Sequence, residues 1–226
     1  MNEVLMIMGL AITFSMVVMV ARFFGKEGLT AFVAVATILA NIFLVKQLRM
    51  FGVDATLGNV FFASTFLCTD IISECYGKKD ALKAVIVGVF SSVGFVVSCV
   101  FLLLFVPNEF DYAHDAMEVV FSVSLKITIA SVMCYFAANL ADVYLFEKLK
   151  QMNPNALWLR NNVCTILCNC TENFALFFLA FSDIYTIEEC ILIAGTSSLI
   201  EAVIGICDTP FVYAGRIACK KHIAEQ

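Results

Sequence analysis

Residues 84–106 read Ala-Val-Ile-Val-Gly-Val-Phe-Ser-Ser-Val-Gly-Phe-Val-Val-Ser-Cys-Val-Phe-Leu-Leu-Leu-Phe-Val, an uncharged stretch bounded by Lys83 and Pro107. A helix rises about 1.5 Å per residue, so this run crosses the roughly 30 Å hydrocarbon core of a bilayer without placing a charge in it. Comparable runs recur on both sides. The chain is 62% hydrophobic and 15% charged, against about 25% charge in soluble domains. This excludes a soluble enzyme and a nucleic-acid-binding module, and it predicts an all-α, polytopic transmembrane bundle formed by one membrane domain over residues 1–226.

Helices are expected near 4–21, 29–45, 58–75, 82–106, 119–146, 161–181 and 188–214, giving seven spans. Gly25, Gly28, Gly52, Gly77, Pro107 and Pro154 punctuate the connections. Met1-Asn2-Glu3 lacks the basic start of a signal peptide, so the first run is read as a retained helix. Cys68, Cys99, Cys134, Cys168, Cys170 and Cys207 fall in apolar runs, where thiols behave as small hydrophobes. The spacing of Cys164, Cys168 and Cys170 is not a zinc pattern, and His114 and His222 fall in connections. No metal and no cofactor is predicted, and no catalytic residues.

Lysine and arginine gather on alternate connections: Arg22 and Lys26, then Lys78, Lys79 and Lys83, then Lys148, Lys150 and Arg160, then Arg216, Lys220 and Lys221. Such residues stay cytoplasmic, which places the C-terminus inside and the N-terminus outside the plasma (inner) membrane. Lys46 and Arg49 break the alternation. Either a short basic loop is outvoted by the others, or this segment folds toward a substrate path.

The decisive feature is charge inside otherwise apolar runs. Asp70, Asp142, Glu172, Glu201, Asp208 and Lys126 lie inside the expected spans, with Glu74 near a helix end. Each costs about 2.5–3.5 kcal/mol at the bilayer centre unless it faces protein or water, so each is a functional candidate. Counting from the nearest charged boundary puts Glu172 and Glu201 near mid-membrane, with Lys126 at a similar level, and puts Asp70, Asp142 and Asp208 in an inner layer nearer the cytoplasm. Helical spacing aligns each acid with polar or aromatic neighbours: Asn59, Phe62, Phe66, Thr69, Asp70 and Ser73 on the third helix, Tyr135, Asn139 and Asp142 on the fifth, Asn162, Thr165, Asn169, Glu172 and Asn173 on the sixth. The structural alternatives are snorkelling for Lys126, pairing with loop lysines for Asp70 and Asp142, and a proline-induced break at Asp208-Thr209-Pro210.

The segment from Gly58-Asn59-Val60-Phe61-Phe62 through Thr69-Asp70-Ile71-Ile72-Ser73-Glu74-Cys75-Tyr76-Gly77-Lys78-Lys79 resembles the bacterial queuosine-precursor transporter family, also called the vitamin uptake transporters. Ala141-Asp142-Val143-Tyr144-Leu145-Phe146-Glu147-Lys148, Leu157-Trp158-Leu159-Arg160-Asn161-Asn162 and Asp208-Thr209-Pro210-Phe211 continue the resemblance in the family's order. It implies a six-helix core with an added N-terminal helix. It also implies import of queuine and related 7-deazaguanine bases, a small nucleobase substrate with no nucleic acid partner. Its functional positions fall on Asn59, Thr69, Asp70, Glu74, Lys126, Asp142, Arg160, Asn161, Asn162 and Asp208. Asn139, Glu172 and Glu201 depart from the family's usual glutamine, aspartate and basic residue.

On that resemblance, a carboxylate such as Glu172 can accept the paired ring N–H and amine donors of a deazaguanine. Phe62, Phe66 or Tyr135 can stack on its faces, Asn169, Asn173 or Thr69 can address its remaining edge, and Glu201 suits an amine-bearing substituent. Asp70 or Asp142, with Glu74 and Asp208, forms a proton-coupling site or gate. The alternative is a substrate-binding subunit of an ATP-driven uptake complex, favoured by the small-residue spacing Ala36-x₃-Ala40.

Overall fold

The computed structural model describes residues 1–50, 52–121, 125–183 and 185–225. The order is α1 (Asn2–Phe43), β1 (Gln47–Met50), β2 (Val53–Thr56), α2 (Gly58–Cys75), α3 (Lys78–Leu103), α4 (His114–Phe121), α5 (Leu125–Met152), α6 (Leu157–Phe181) and α7 (Ile187–Ala224). Five of these, α1, α3, α5, α6 and α7, are long and apolar enough to cross a membrane.

Helix α1 has 42 residues and would measure about 63 Å if straight. It is not straight. The Asn2 side chain donates to the carbonyl of Arg49 at 3.3 Å, and the six residues from Phe43 to Arg49 reach at most about 20 Å. The helix therefore folds back into two antiparallel arms, and the turn is made at Gly25, whose φ of 58° and ψ of −142° leave the helical region. A β-carbon there would lie 2.6 Å from the His222 ring and 3.1 Å from the Tyr76 hydroxyl, so both conformation and space require glycine. Where the sequence predicts a loop over 22–28, a single residue makes the turn. Among the described residues, each of the seven expected segments falls mainly on helix, with 44–45 and 104–106 outside it.

Helix α2 is the most enclosed. Thirteen of its eighteen residues are buried, among them Ser64, Thr65, Thr69, Asp70 and Ser73. Its polarity is tolerated because protein rather than lipid surrounds it. Outward faces of the other helices are apolar, with Phe90 79%, Leu192 70% and Leu199 66% exposed. Such an apolar exterior around buried acids is the distribution a bilayer selects, whereas water would not tolerate it. Close crossings hold the centre: a β-carbon on Gly215 of α7 would meet Ile71 of α2, and one on Gly58 would lie 2.8 Å from the Ala40 carbonyl. Ala36 is 1% exposed, so the first residue of the Ala36-x₃-Ala40 spacing packs inside the bundle.

Several boundaries shift. Where one helix over 119–146 is expected, helix begins earlier, at His114, and the part of that expectation at 122–124 lies outside the described residues. Helices α5 and α7 run past the predicted ends to Met152 and Ala224, since Lys148, Lys150, Lys220 and Lys221 are good helix formers. Helix α7 continues through Pro210, so the anticipated break is not made. The β1–β2 hairpin, paired from Gln47–Thr56 to Met50–Val53, has no counterpart in the sequence expectation. Lys46 and Arg49 are exposed on it, away from any interior path.

Candidate functional site

Four helices share one interior line, and α2 sets its register. Glu74, Asp70, Phe66 and Phe62 follow at one-turn intervals on α2, so the line runs about 18 Å from the lysine- and arginine-rich end into the bundle.

At that basic end Glu74 Oε2 accepts from Arg160 Nη2 at 2.6 Å, with Arg216 Nε and Lys150 Nζ at 3.2 and 3.4 Å from the same carboxylate. Arg160 is 1% exposed. Its Nη1 donates to the carbonyls of Asn153 and Pro154 at 3.3 and 3.0 Å, and its guanidinium lies 5.3 Å from the Phe146 ring centroid. Lys150 donates to the carbonyls of Ser73 and Glu74 at 3.1 and 2.9 Å, where the end of α2 leaves carbonyls without helical donors and its dipole favours a cation. One carboxylate thus ties α2 to α5, α6 and α7. Lys150 and Arg216 were missed as site residues because topology counting treats them only as loop charge.

One turn deeper lie Asp70 on α2, Asp142 on α5 and Asp208 on α7, none of them exposed. Asn161 Nδ2 donates to Asp208 Oδ1 at 2.7 Å, and Asn162 Nδ2 to Thr209 Oγ1 at 2.8 Å, pinning α6 to α7. Among the described residues, no donor reaches any oxygen of Asp70 or Asp142, or Oδ2 of Asp208. Asp70 faces Asp142, with Asp208 and Arg160 in electrostatic reach. Two carboxyls in contact hydrogen-bond each other only when one of them holds a proton. Buried unpartnered acids cost stability, and such exceptions concentrate at functional sites.

Farther along, Glu172 of α6 and Glu201 of α7 are each 8% exposed. Asn173 Nδ2 donates to Glu201 Oε2 at 2.8 Å. Among the described residues, Glu172 Oε2 and Asn169 Oδ1 are buried without partners, as is Asn139 Oδ1, whose amide donates to the Tyr135 carbonyl at 3.0 Å. Phe62 meets Phe66 and Tyr135 with ring centroids 5.4 and 5.6 Å apart, and the Tyr135 hydroxyl pairs with Thr37 Oγ1 at 3.3 Å. Glu172 is in electrostatic reach of Tyr135, Cys134 and Cys168. Aromatic faces and a free carboxylate oxygen therefore lie in the same closed region.

The structure does not bring every candidate here. Asn59 stands at the far end of α2, accepting from Thr56 Oγ1 at 2.9 Å. The Thr69 hydroxyl donates to the Phe66 carbonyl of its own helix at 2.9 Å. The Lys126 side chain lies outside the described residues. All ten cysteines are free thiols. Two surface hollows of about 500 Å³, one beside Lys78 and Tyr144 and one beside Phe24 and Phe32, contain none of the buried acids.

A helical bundle that is apolar outside and lined within by stacked layers of carboxyls defines a polytopic membrane protein built to handle a polar solute. The chain belongs to the family described as "Putative vitamin uptake transporter", whose sequence pattern matches residues 56–215. It is 30% identical over 207 residues, 91% of this chain and 90% of the relative, to a Bacillus subtilis (strain 168) protein named "Probable queuosine precursor transporter". It is 27% identical over 159 residues to a protein of the same name from Haemophilus influenzae, covering 69% of this chain and 66% of that one. A protein named "Queuosine precursor transporter" from Escherichia coli K12 is 25% identical over 144 residues, 63% of this chain and 62% of its own length. No solved structure matches.

Proposed function

We propose that this chain imports queuosine precursors, 7-deazaguanine bases, across the plasma (inner) membrane, with its basic end and C-terminus in the cytoplasm. The observation that carries this reading is Glu172, a buried carboxylate with one oxygen unpartnered among the described residues and in electrostatic reach of Tyr135, whose ring meets Phe62. Its two oxygens match the adjacent N–H donors of a guanine-like edge, and the rings match the flat faces of the base. Asn169 offers a further unpartnered amide oxygen. The relatives' names support the same substrate class. The chain acts as a transporter and not as an enzyme.

The test is uptake of labelled queuine and its aminomethyl and cyano precursors by cells lacking their own importer. Wild-type chain restores uptake, and Glu172→Gln lowers it. If wild type takes up none of the three, the assignment is wrong.

Energy comes, on this proposal, from a proton carried by the Asp70–Asp142 pair, since among the described residues these two acids face each other and none of their oxygens accepts from another donor. Concentrative uptake into vesicles is expected to vanish when the pH gradient is clamped to zero. Unchanged accumulation would reject proton coupling while leaving the substrate assignment standing.

A further inference from the structure

The outward face of α5 at the basic end of the bundle is split between apolar and charged side chains. Asp142, Val143 and Phe146 are buried, while Ala141, Tyr144 and Lys148 are exposed. Helical spacing puts Ala141, Tyr144, Leu145, Lys148 and Gln151 together on the side opposite the buried residues. That side and Lys78, the first residue of α3, line the surface hollow of about 500 Å³, a size within the roughly 300–1,000 Å³ of small-ligand sites. Ala141, Tyr144 and Leu145 form its apolar part. Lys148 and Gln151 lie about 10 and 15 Å farther along the helix toward the basic end, and with Lys78 they form its polar part.

The two lysines stand there without an acid to neutralise them. Lys78 Nζ lies 3.3 Å from the centroid of the Tyr144 ring, and a ring face holds an ammonium in place while leaving its net charge. Lys26 and Lys83 pair with Asp80, and Lys150 pairs with Glu74. Among the described residues, Lys78 and Lys148 pair with no carboxylate. Glu147 also lines the hollow, but its Oε1 accepts from Gln151 Nε2 at 3.2 Å within its own helix. Two lysines against one glutamate leave the polar part net positive. A dissolved anion would use the lysines and leave the apolar part empty, whereas a phospholipid has a group for each.

We infer that this hollow binds an anionic phospholipid, with the phosphate against Lys78 and Lys148 and the acyl chain along Ala141, Tyr144 and Leu145. Basic pockets at helix ends hold anionic headgroups in this way. A zwitterionic lipid brings its own cationic group, which the lysines repel, so the site prefers a headgroup of net negative charge. The site lies outside the bundle and is independent of the importer reading.

The test titrates the purified full chain, in neutral detergent, with dioleoyl phosphatidylglycerol or dioleoyl phosphatidylcholine and counts bound lipid by native mass spectrometry. Wild type is expected to bind the anionic lipid about tenfold tighter or more, since each lysine near an anionic headgroup is worth about fivefold. The double variant Lys78→Gln, Lys148→Gln is expected to bring the two lipids within about twofold of each other. Its unchanged phosphatidylcholine binding measures that it is folded. Should it not fold, Lys148→Gln alone, made at an exposed side chain, lowers the preference about fivefold. The control Lys220→Gln, Lys221→Gln removes the same charge from the end of α7 and keeps the preference. Equal binding of both lipids by wild type overturns the inference, as does a preference that survives the loss of these lysines. A control that loses as much as the double variant overturns it too, because general surface charge is then the cause. Displacement of the lipid by an equal concentration of inorganic phosphate would assign the lysines to a free anion and reject the lipid.

Discussion

The aspartate layer and the glutamate layer are made from the same chemistry on largely the same helices, yet the bundle treats them differently. Asp208 is pinned by Asn161, and Arg160 stands within reach of Asp70 while gripping Glu74 one turn away. The aspartates are wholly enclosed. Glu172 and Glu201 have one amide donor between them, no cation among the described residues, and aromatic rings close by. Cross-helix ion pairs and hydrogen bonds fix helix positions, so the inner end is built to hold α2, α5, α6 and α7 together until something breaks the ties. On the proposed import, the region with free acceptors and few ties is the one that receives the solute.

That contrast breaks most visibly at Glu74. Glu74→Gln strands Arg160 in the interior, and loss of one partner of a buried pair costs about 3–5 kcal/mol. A large fall in the thermal unfolding midpoint in detergent is expected. An unchanged midpoint would mean that the inner end is not a clamp.

Next comes Glu172→Gln, expected to cut kcat/KM for uptake about 10–100-fold, the worth of hydrogen bonds to a charged acceptor. Its unfolding midpoint should hold or rise, because the change removes a buried charge without orphaning a cation. A fall in stability comparable with that of Glu74→Gln would erase the distinction between the layers.

Gly58→Ala tests the frame that both layers share. Its β-carbon would press on the Ala40 carbonyl, and overpacking of this kind costs about 1–3 kcal/mol. Reduced stability with unchanged substrate preference is the expected outcome, read from thermal unfolding alongside the aminomethyl-to-cyano uptake ratio.

The smallest effect is expected outside both layers. The Arg22 guanidinium beside Glu225 holds that carboxyl below the usual carboxylate range. A group held low contributes above its unfolded pKa and loses the contribution as pH falls through the folded value. The tie therefore persists at neutral pH and fades below about pH 4. Glu225→Gln should lower stability slightly at pH 7, not at all in acid, and leave uptake unchanged. Unfolding scans at both pH values check this.

Much of this architecture is legible along the chain. Hydropathy and the rise of a helix determine where spans fall and how deep an acid sits, so the order Glu74, Asp70, Glu172 from the basic end follows from counting residues alone. The family blocks point to Arg160, Asn161 and Asp208, and the structure brings Asn161 onto Asp208. Partners on separate helices are not legible in this way. Asn173 reads as a substrate ligand by its spacing, yet its amide is on Glu201. Asn59 shares a helical stripe with Asp70, yet it sits at the opposite end of α2, bonded to Thr56.

The sequence by itself determined that this protein is a helical membrane bundle with acids inside it, because lipid imposes run length and charge placement on each segment separately. Only the tertiary structure decided that α1 doubles back at Gly25, that α2 occupies the centre, that Glu74 gathers cations from three other helices, and that Glu172 and Glu201 pair with none among the described residues. Those features depend on how helices rotate and cross, and no single segment contains that information.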